Sequence, residues 1–438
     1  MNTTNPTNEP SGTPRPTTWL RNAGLADGRV VDVSIDALSG RIVSVDEPRR
    51  AWPRSADIGG VIDPNGGPGE TTDIDLEGWL LLPAPCEPHA HLDKALTVTE
   101  VPNLRGDLIG AIEAWIPYFP KLTVNDMAER AEMAALELVS NGITAVRTHV
   151  NVHPGIDTRA AEALIRVRSR IGHLLDIQIV ALCGWVTGPE GPEGRHLLRT
   201  VLEMDESIIV GGCPHLDVEP LVASDYALDL AMELGRQLDL HTDETLDGSH
   251  LELRHLAQRV RETGFDLGAA ASHCVSLGVQ PVDVQRAVAA EVAASGVRVI
   301  TLPQTNLFLQ GRDHPVSTPR GLTALRPLLD AGAIVGAGAD NVRDPFNSMG
   351  RSDPFETAAL LVMAGHLLPE EAYSAVTTGA RASIGLPTVT IAPGEPAELL
   401  AVPGDDLTSV MAKADTQRMV WHRGRLVAST KVTRNLLR

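Results

Sequence analysis

The sequence predicts an α/β chain: a (β/α)8 TIM-type barrel over residues 83–387, with a small β-sandwich domain built from residues 17–82 and 388–438. Three observations predict it. From about Pro83 to Pro387, apolar runs alternate with amphipathic stretches such as Val124–Ser140 and Asp283–Ser295, the pattern of repeated βα units. Four of the apolar runs end in ligand-type residues, and a barrel gathers its chemistry at the C-terminal ends of its strands. Both chain ends, by contrast, read as short strands joined by turns.

Taken in order, Met1–Pro16 is low-complexity and reads as a disordered tail. Val30–Val45 (VVDVSIDALSGRIVSV) reads as a hairpin around Ser39-Gly40, and the Pro/Gly-rich Asp63–Glu70 loop leads into a strand over Ile74–Leu82. Leu81–Asp93 (LLPAPCEPHAHLD) follows, placing His89 and His91 two residues apart, where strand side chains share a face. Leu238–Glu244 (LDLHTDE) ends an apolar run in His241, with Glu244 three residues on. Ala269–Cys274 (AAASHC) ends in His273, and Ala333–Asn341 (AIVGAGADN) in Asp340 and Asn341. Ala397–Val402, Met419–Trp421 and Leu426–Ser429 read as closing strands, with His422-Arg423-Gly424 turning between the last two. No repeat appears beyond the βα alternation.

These residue types suit one chemistry. Three neutral imidazoles and one carboxylate satisfy a divalent cation such as Zn²⁺ or Fe²⁺ and leave a position for water, whose pKa can fall from 15.7 to about 7. Hydroxide adding to a trigonal C–N carbon requires that the departing nitrogen gain a proton, and Glu244 is the candidate shuttle, a role worth typically about 10²–10⁴-fold. His273 reads either as a ligand or, preferably, as a group that polarises the substrate or orients the water.

The motifs resemble the cytosine deaminase-like branch of the amidohydrolase superfamily over most of residues 18–432. They are EPHAHLD, VRTHVNV at Val146–Val152, DIQIVAL at Asp176–Leu182, LHTDE, ASH, NLFLQGRD at Asn306–Asp313 and GADNVRDPF at Gly338–Phe346. The resemblance implies a mononuclear site with His89, His91, His241 and Asp340 as metal ligands. It also implies Glu244 as proton shuttle, His273 as the catalytic histidine of the sixth barrel strand, and a composite terminal domain. Binuclear members carry a carboxylated Lys or a Glu on the fourth strand, whereas Ile208–Asp217 (IIVGGCPHLD) has no Lys, so one metal is expected.

Departures fall at substrate-reading positions. Cytosine deaminases carry a Gln where this chain aligns Gly184, followed by Trp185, and Asp-Asp and a Trp where it has Asp340-Asn341 and Phe346. The DNVRD run and HLDK, with Lys94, are more similar to N-isopropylammelide isopropylaminohydrolase, which removes an alkylamine from an s-triazine ring but lacks the Glu of LHTDE. Lys94 is read either as a substrate contact or as a solvated or salt-bridged rim residue. Gln310 reads as a substrate partner or a loop-stabilising group, Phe346 as a stacking ring or filler of the barrel mouth, and His149 as a residue facing the site or, preferably, a structural histidine bonded to a neighbouring strand end. Asn306 and Arg312 share the seventh-strand loop, where family members place pocket-shaping groups. The remaining histidines, His153 and His215 among them, read as surface or packing residues.

The expected function is hydrolytic removal of an exocyclic amine from a small N-heterocycle, such as a pyrimidine, creatinine-like or triazine ring. The alternatives are release of an alkylamine, hydrolysis of a cyclic amide or imide, and a degenerate barrel that only binds. A net charge of −19 argues against nucleic acid or an anionic membrane as partner, and 43% apolar content over 438 residues suffices for a large core. Cys86, Cys183, Cys213 and Cys274 lie far apart without a C-x-x-C pattern and read as reduced thiols of a cytoplasmic protein. No apolar run approaches a membrane span, no signal-peptide pattern appears, and assembly into a homo-oligomer stays open. G-x-S-x-G, phosphate-loop, G-x-G-x-x-G and H-x-E with P-C-x-x-C signatures are absent.

Overall fold

The computed structural model describes residues 16–48 and 72–437. The expectations for residues 1–15 and for the Asp63–Glu70 loop lie outside the described residues. Eight parallel strands form the barrel: β6 (Cys86–Ala90), β7 (Ala145–Val152), β8 (Asp176–Cys183), β9 (Ile209–Gly212), β10 (Leu238–Thr242), β11 (Ala269–His273), β12 (Arg298–Thr301) and β13 (Val335–Ala337). Each pairs with its sequence neighbour, as right-handed βα connections produce. A bridge between Ala90 and Asp340 then links the two ends.

Glu87 ties that closing seam. Its buried carboxylate accepts from the His89 amide at 3.2 Å and the Ala339 amide at 2.9 Å, so one side chain fixes the first strand against the last. Gly338 is required beside it, because an added Cβ would run into Glu87 Oε1. Outside the barrel, the helix Val124–Ser140 matches the expected range, capped by Thr123, whose side chain accepts from the Asp126 amide. The second expected helix begins one residue early, at Val282.

The two chain ends meet in a separate mixed sheet: β1 (Thr17–Gly24), β2 (Val30–Asp36), β3 (Arg41–Asp46), β4 (Thr72–Asp75), β5 (Trp79–Pro83), β14 (Leu399–Pro403), β15 (Met419–His422) and β16 (Arg425–Ser429). It folds over itself, since the Ile42 amide bonds Glu395 O and the Ala397 amide bonds Gly40 O. The strand expected over Ile74–Leu82 is two strands, β4 and β5, separated by a turn at Glu77-Gly78. Within β5 the apolar run Trp79–Leu82 is continuous because the strand is buried on both faces: Trp79 and Leu81 join the core of the terminal sheet, Leu80 and Leu82 that of the barrel.

Candidate active site

Three histidine nitrogens converge at the C-terminal mouth of the barrel. His89 lies in β6, His91 just past it and His241 in β10. The Nε2 atoms are 3.3 Å apart for His89 and His91, and 3.1 Å from His241 to each. Three neutral imidazoles cannot satisfy all three contacts as hydrogen bonds, because each Nε2 is either a donor or an acceptor. A cation at the centre resolves the conflict: tetrahedral bonds of about 2.0–2.1 Å put ligand nitrogens about 3.3 Å apart. Burial holds all three imidazoles well below their ordinary pKa, and the crowding of neighbouring histidines or, for His91, of Lys94 adds to it.

Asp340 supplies the carboxylate that this arrangement needs. Its Oδ1 lies 3.3 Å from His91 Nε2 and 3.6 Å from His89 Nε2, is buried, and has no hydrogen-bond partner. Burial, with Glu244 nearby, pushes its pKa well up, so an ionised Asp340 requires a positive neighbour. Its backbone sits in the left-handed region at φ 74°, as does that of His273 at φ 70°, a conformation costing of order 1–3 kcal/mol per residue and common at functional sites.

Glu244 and His273 stand beside the cluster, with His273 Nδ1 3.5 Å from Glu244 Oε1. Asn306 Nδ2 donates to His273 Nδ1 at 3.1 Å, which assigns the ring proton to Nε2, a buried atom without a partner. Burial raises the Glu244 carboxyl to about 8.

A second layer lies one strand step below. The Ser272 hydroxyl sits 2.8 Å from His89 Nδ1 and donates to Asp239 Oδ1 at 3.4 Å, while Arg147 pairs with Asp239 at 2.7 Å. The chain from Arg147 to His89 fixes the tautomer that leaves Nε2 unprotonated. Arg147 and Asp239 precede His149 and His241 by two residues, so the period-two alternation that placed the histidines inside the barrel also placed these. That signal went unread in the sequence.

Of the expected substrate-facing residues, Lys94, Gly184, Trp185, Asn341 and Phe346 line one pocket with His91, His241, Glu244, His273 and Asp340. Lys94 is not a solvated rim residue: it is 2% exposed, with Nζ 2.9 Å from His91 Nδ1 and 3.4 Å from Asp93 Oδ1. Asn341 is engaged at both ends, donating to Asp344 at 2.8 Å and accepting from Thr305 at 3.3 Å. Gln310 donates to the Glu244 carbonyl at 3.2 Å and lines an adjoining cleft that shares Leu108, Leu216 and Glu244 with this pocket. His149 faces the cluster: its ring stacks on His89 with centroids 3.9 Å apart, its ring nitrogens have no hydrogen-bond partner, and its Nε2 lies 3.8 Å from Asp239 Oδ1 in β10. Trp115, Phe119 and His153 also line the pocket and were missed. A clustering of rings was their one signal, in a chain only 3% aromatic.

Residues 106–428 match the model of the amidohydrolase family, a span that begins after His89 and His91 and takes in every other residue of the cluster. The chain belongs to the amidohydrolase family. This amidohydrolase is 28% identical to a pterin deaminase of Rhizobium rhizogenes over 374 residues, covering 82% of this chain and 83% of the relative. Among solved structures it resembles 5-methylcytosine deaminase from Klebsiella pneumoniae, with a TM-score of 0.82 and 27% identity over 96% of this chain and 99% of that one. It also resembles N-isopropylammelide isopropylaminohydrolase from Burkholderia multivorans, with a TM-score of 0.77 and 25% identity over 94% and 98% of the two chains. These likenesses support an enzyme that hydrolyses C–N bonds, in a barrel carrying a terminal sheet.

Proposed function

We propose that this amidohydrolase removes an exocyclic amine from a small N-heterocycle by adding water to the ring carbon, with one divalent cation, Zn²⁺ or Fe²⁺, held by His89, His91, His241 and Asp340. The triangle of Nε2 atoms closed by an unpartnered carboxylate carries this reading. The cation, when bound, supplies Lewis acidity that makes water a nucleophile at neutral pH. The chain's own groups manage the protons. Glu244 takes one from the attacking water and returns it to the departing nitrogen, and its burial favours the carboxyl's holding that proton between the two transfers. His273 Nε2–H, with no partner in the protein, donates to the heteroatom that gains charge as the ring carbon becomes tetrahedral.

Lys94, Asn341, Trp185, Phe346 and Gly184 are assigned to the substrate. Should His91 bind the cation through Nε2, its Nδ1 carries the proton and cannot accept from the Lys94 ammonium, which leaves that donor for the ring. The relatives named for deaminating a pterin and 5-methylcytosine support ammonia as the leaving group. The relative named an isopropylaminohydrolase supports a second reading, alkylamine release. No helix among the described residues is long and apolar enough to cross a membrane, and the four cysteines are unpaired, which supports a cytoplasmic setting.

The test is ammonium release by the metal-loaded protein from amino-pyrimidines, creatinine-like rings and amino-triazines, with N-alkylated members included. Ammonia from an unalkylated ring amine is the expected result. Alkylamine alone would favour the second reading, and no amine from any member at verified metal occupancy would contradict both. Glu244→Gln should lower turnover about 10²–10⁴-fold with metal retained.

A further inference from the structure

The pocket has two unlike halves. Its floor holds the histidines, Glu244, Asp340 and Lys94, whereas its outer wall is made by Leu108, Ile112, Trp115, Ile116, Phe119 and Trp185. Five of these six come from one segment: the helix Leu108–Trp115, capped by the Asp107 side chain accepting from the Gly110 amide, and the 3-10 turn Ile116–Lys121.

The wall carries few polar atoms, and two of them are engaged. Trp115 Nε1 donates to Asn151 Oδ1 at 3.3 Å. His153 Nδ1 accepts from the Gly155 amide at 3.0 Å, and its ring stands edge-on to Phe119 at 5.0 Å and Trp185 at 5.4 Å. No arginine lines the pocket among the described residues, and its one lysine, Lys94, lies at the floor. Such a wall offers no cation to a phosphate and few hydrogen-bonding groups to a sugar, and it favours burial of apolar surface.

Gly184, just past β8, faces this same space. A Cβ built there meets no atom within 4 Å, so the position leaves room that any side chain would fill. We propose that the substrate's ring carries an apolar substituent, lodged between Gly184 and the Trp115–Phe119 wall, and that Gly184 sets how large that group can be. The proposal rests on the deaminase reading for the orientation of the reactive amine toward the floor.

The test uses three cores, aminopyrimidine, creatinine-like and aminotriazine, each bearing hydrogen, n-butyl or ribosyl away from the amine. Turnover is measured on the metal-loaded enzyme, and dissociation constants on metal-loaded Glu244→Gln by calorimetry. For at least one core, the butyl member should bind and turn over at least roughly tenfold better than the hydrogen member, while ribosyl shows no gain. Gly184→Leu should bring the butyl-to-hydrogen ratio toward one. A ratio of one or less on every core, a ribosyl preference, an unchanged ratio in Gly184→Leu, or no measurable butyl binding would overturn the proposal. Butyl preference in binding without amine release from any core would uphold it and sink the deaminase reading. Amine release without that preference would do the reverse.

Discussion

In the terminal sheet, Leu20, Val33, Ile35, Leu81, Leu399 and Trp421 are each at most 1% exposed and form one apolar core. The barrel interior is buried just as deeply, yet it holds His89, Arg147, His149, Asp239 and Ser272. Apolar packing is non-directional and tolerates repacking, so the terminal core stabilises without fixing any one atom. A buried charge is tolerable only when it is paired and bonded, which forces a defined position on every member of the barrel network. The difference teaches where the chain fixes geometry: in the polar layers beneath the metal-type cluster.

Breaking the polar layer should therefore cost both stability and metal, and breaking the apolar core should cost stability alone. Arg147→Met leaves Asp239 buried without its cation, and a loss of about 3–5 kcal/mol in urea unfolding is expected, together with weakened metal retention. Trp421→Ala should lose a similar amount, about 3–5 kcal/mol, while turnover per folded, metal-loaded molecule stays at the wild-type value. A fall in that turnover would show that the terminal sheet positions the site, and the contrast between the two interiors would fail.

Ser272→Ala sharpens the comparison with a smaller effect. It frees His89 Nδ1, and titration against a chelator should show metal affinity lower by roughly 10–100-fold, with a loss of about 1–3 kcal/mol in unfolding. The smallest effect concerns pH. Glu244 is raised by burial from 4.5 to about 8 in the folded protein. Below pH 4.5 the carboxyl is protonated in both states; between 4.5 and 8 the unfolded chain sheds its proton first, so the stability present at low pH is lost as pH rises through that window. Metal-free Glu244→Gln should thus melt above the metal-free parent at pH 8 and level with it at pH 4. The opposite ordering would mean that Glu244 is ionised and paired in the folded chain.

Much of this was legible from one dimension of the sequence, because alternation along a strand decides which side chains enter the barrel. His89 and His91 were read by that alternation, His241, His273 and Asp340 as the ends of apolar runs, and the structure places all five together. Neighbours contributed by other strands carry no such signature. The HLDK run does not show that the ring of Phe346, from beyond the last barrel strand, stands 5.5 Å from Lys94 Nζ, nor does the RTHVN run show that His149 stacks on His89. The break between β4 and β5 falls at Glu77-Gly78, between an alternating stretch and a run buried on both faces, two halves that read together as one strand. The apolar pocket wall escaped because it belongs to a helix and a turn between barrel strands, where the βα pattern sets no positions.

The most direct test of the account is the metal content per chain, by mass spectrometry after exhaustive dialysis, of the wild type beside His241→Ala and Glu244→Gln. One divalent metal per chain is expected in the wild type and in Glu244→Gln, and near none in His241→Ala. A wild type that holds no metal after loading, or a His241→Ala variant that keeps a full equivalent, would contradict the claim that this buried polar interior is built to hold a cation.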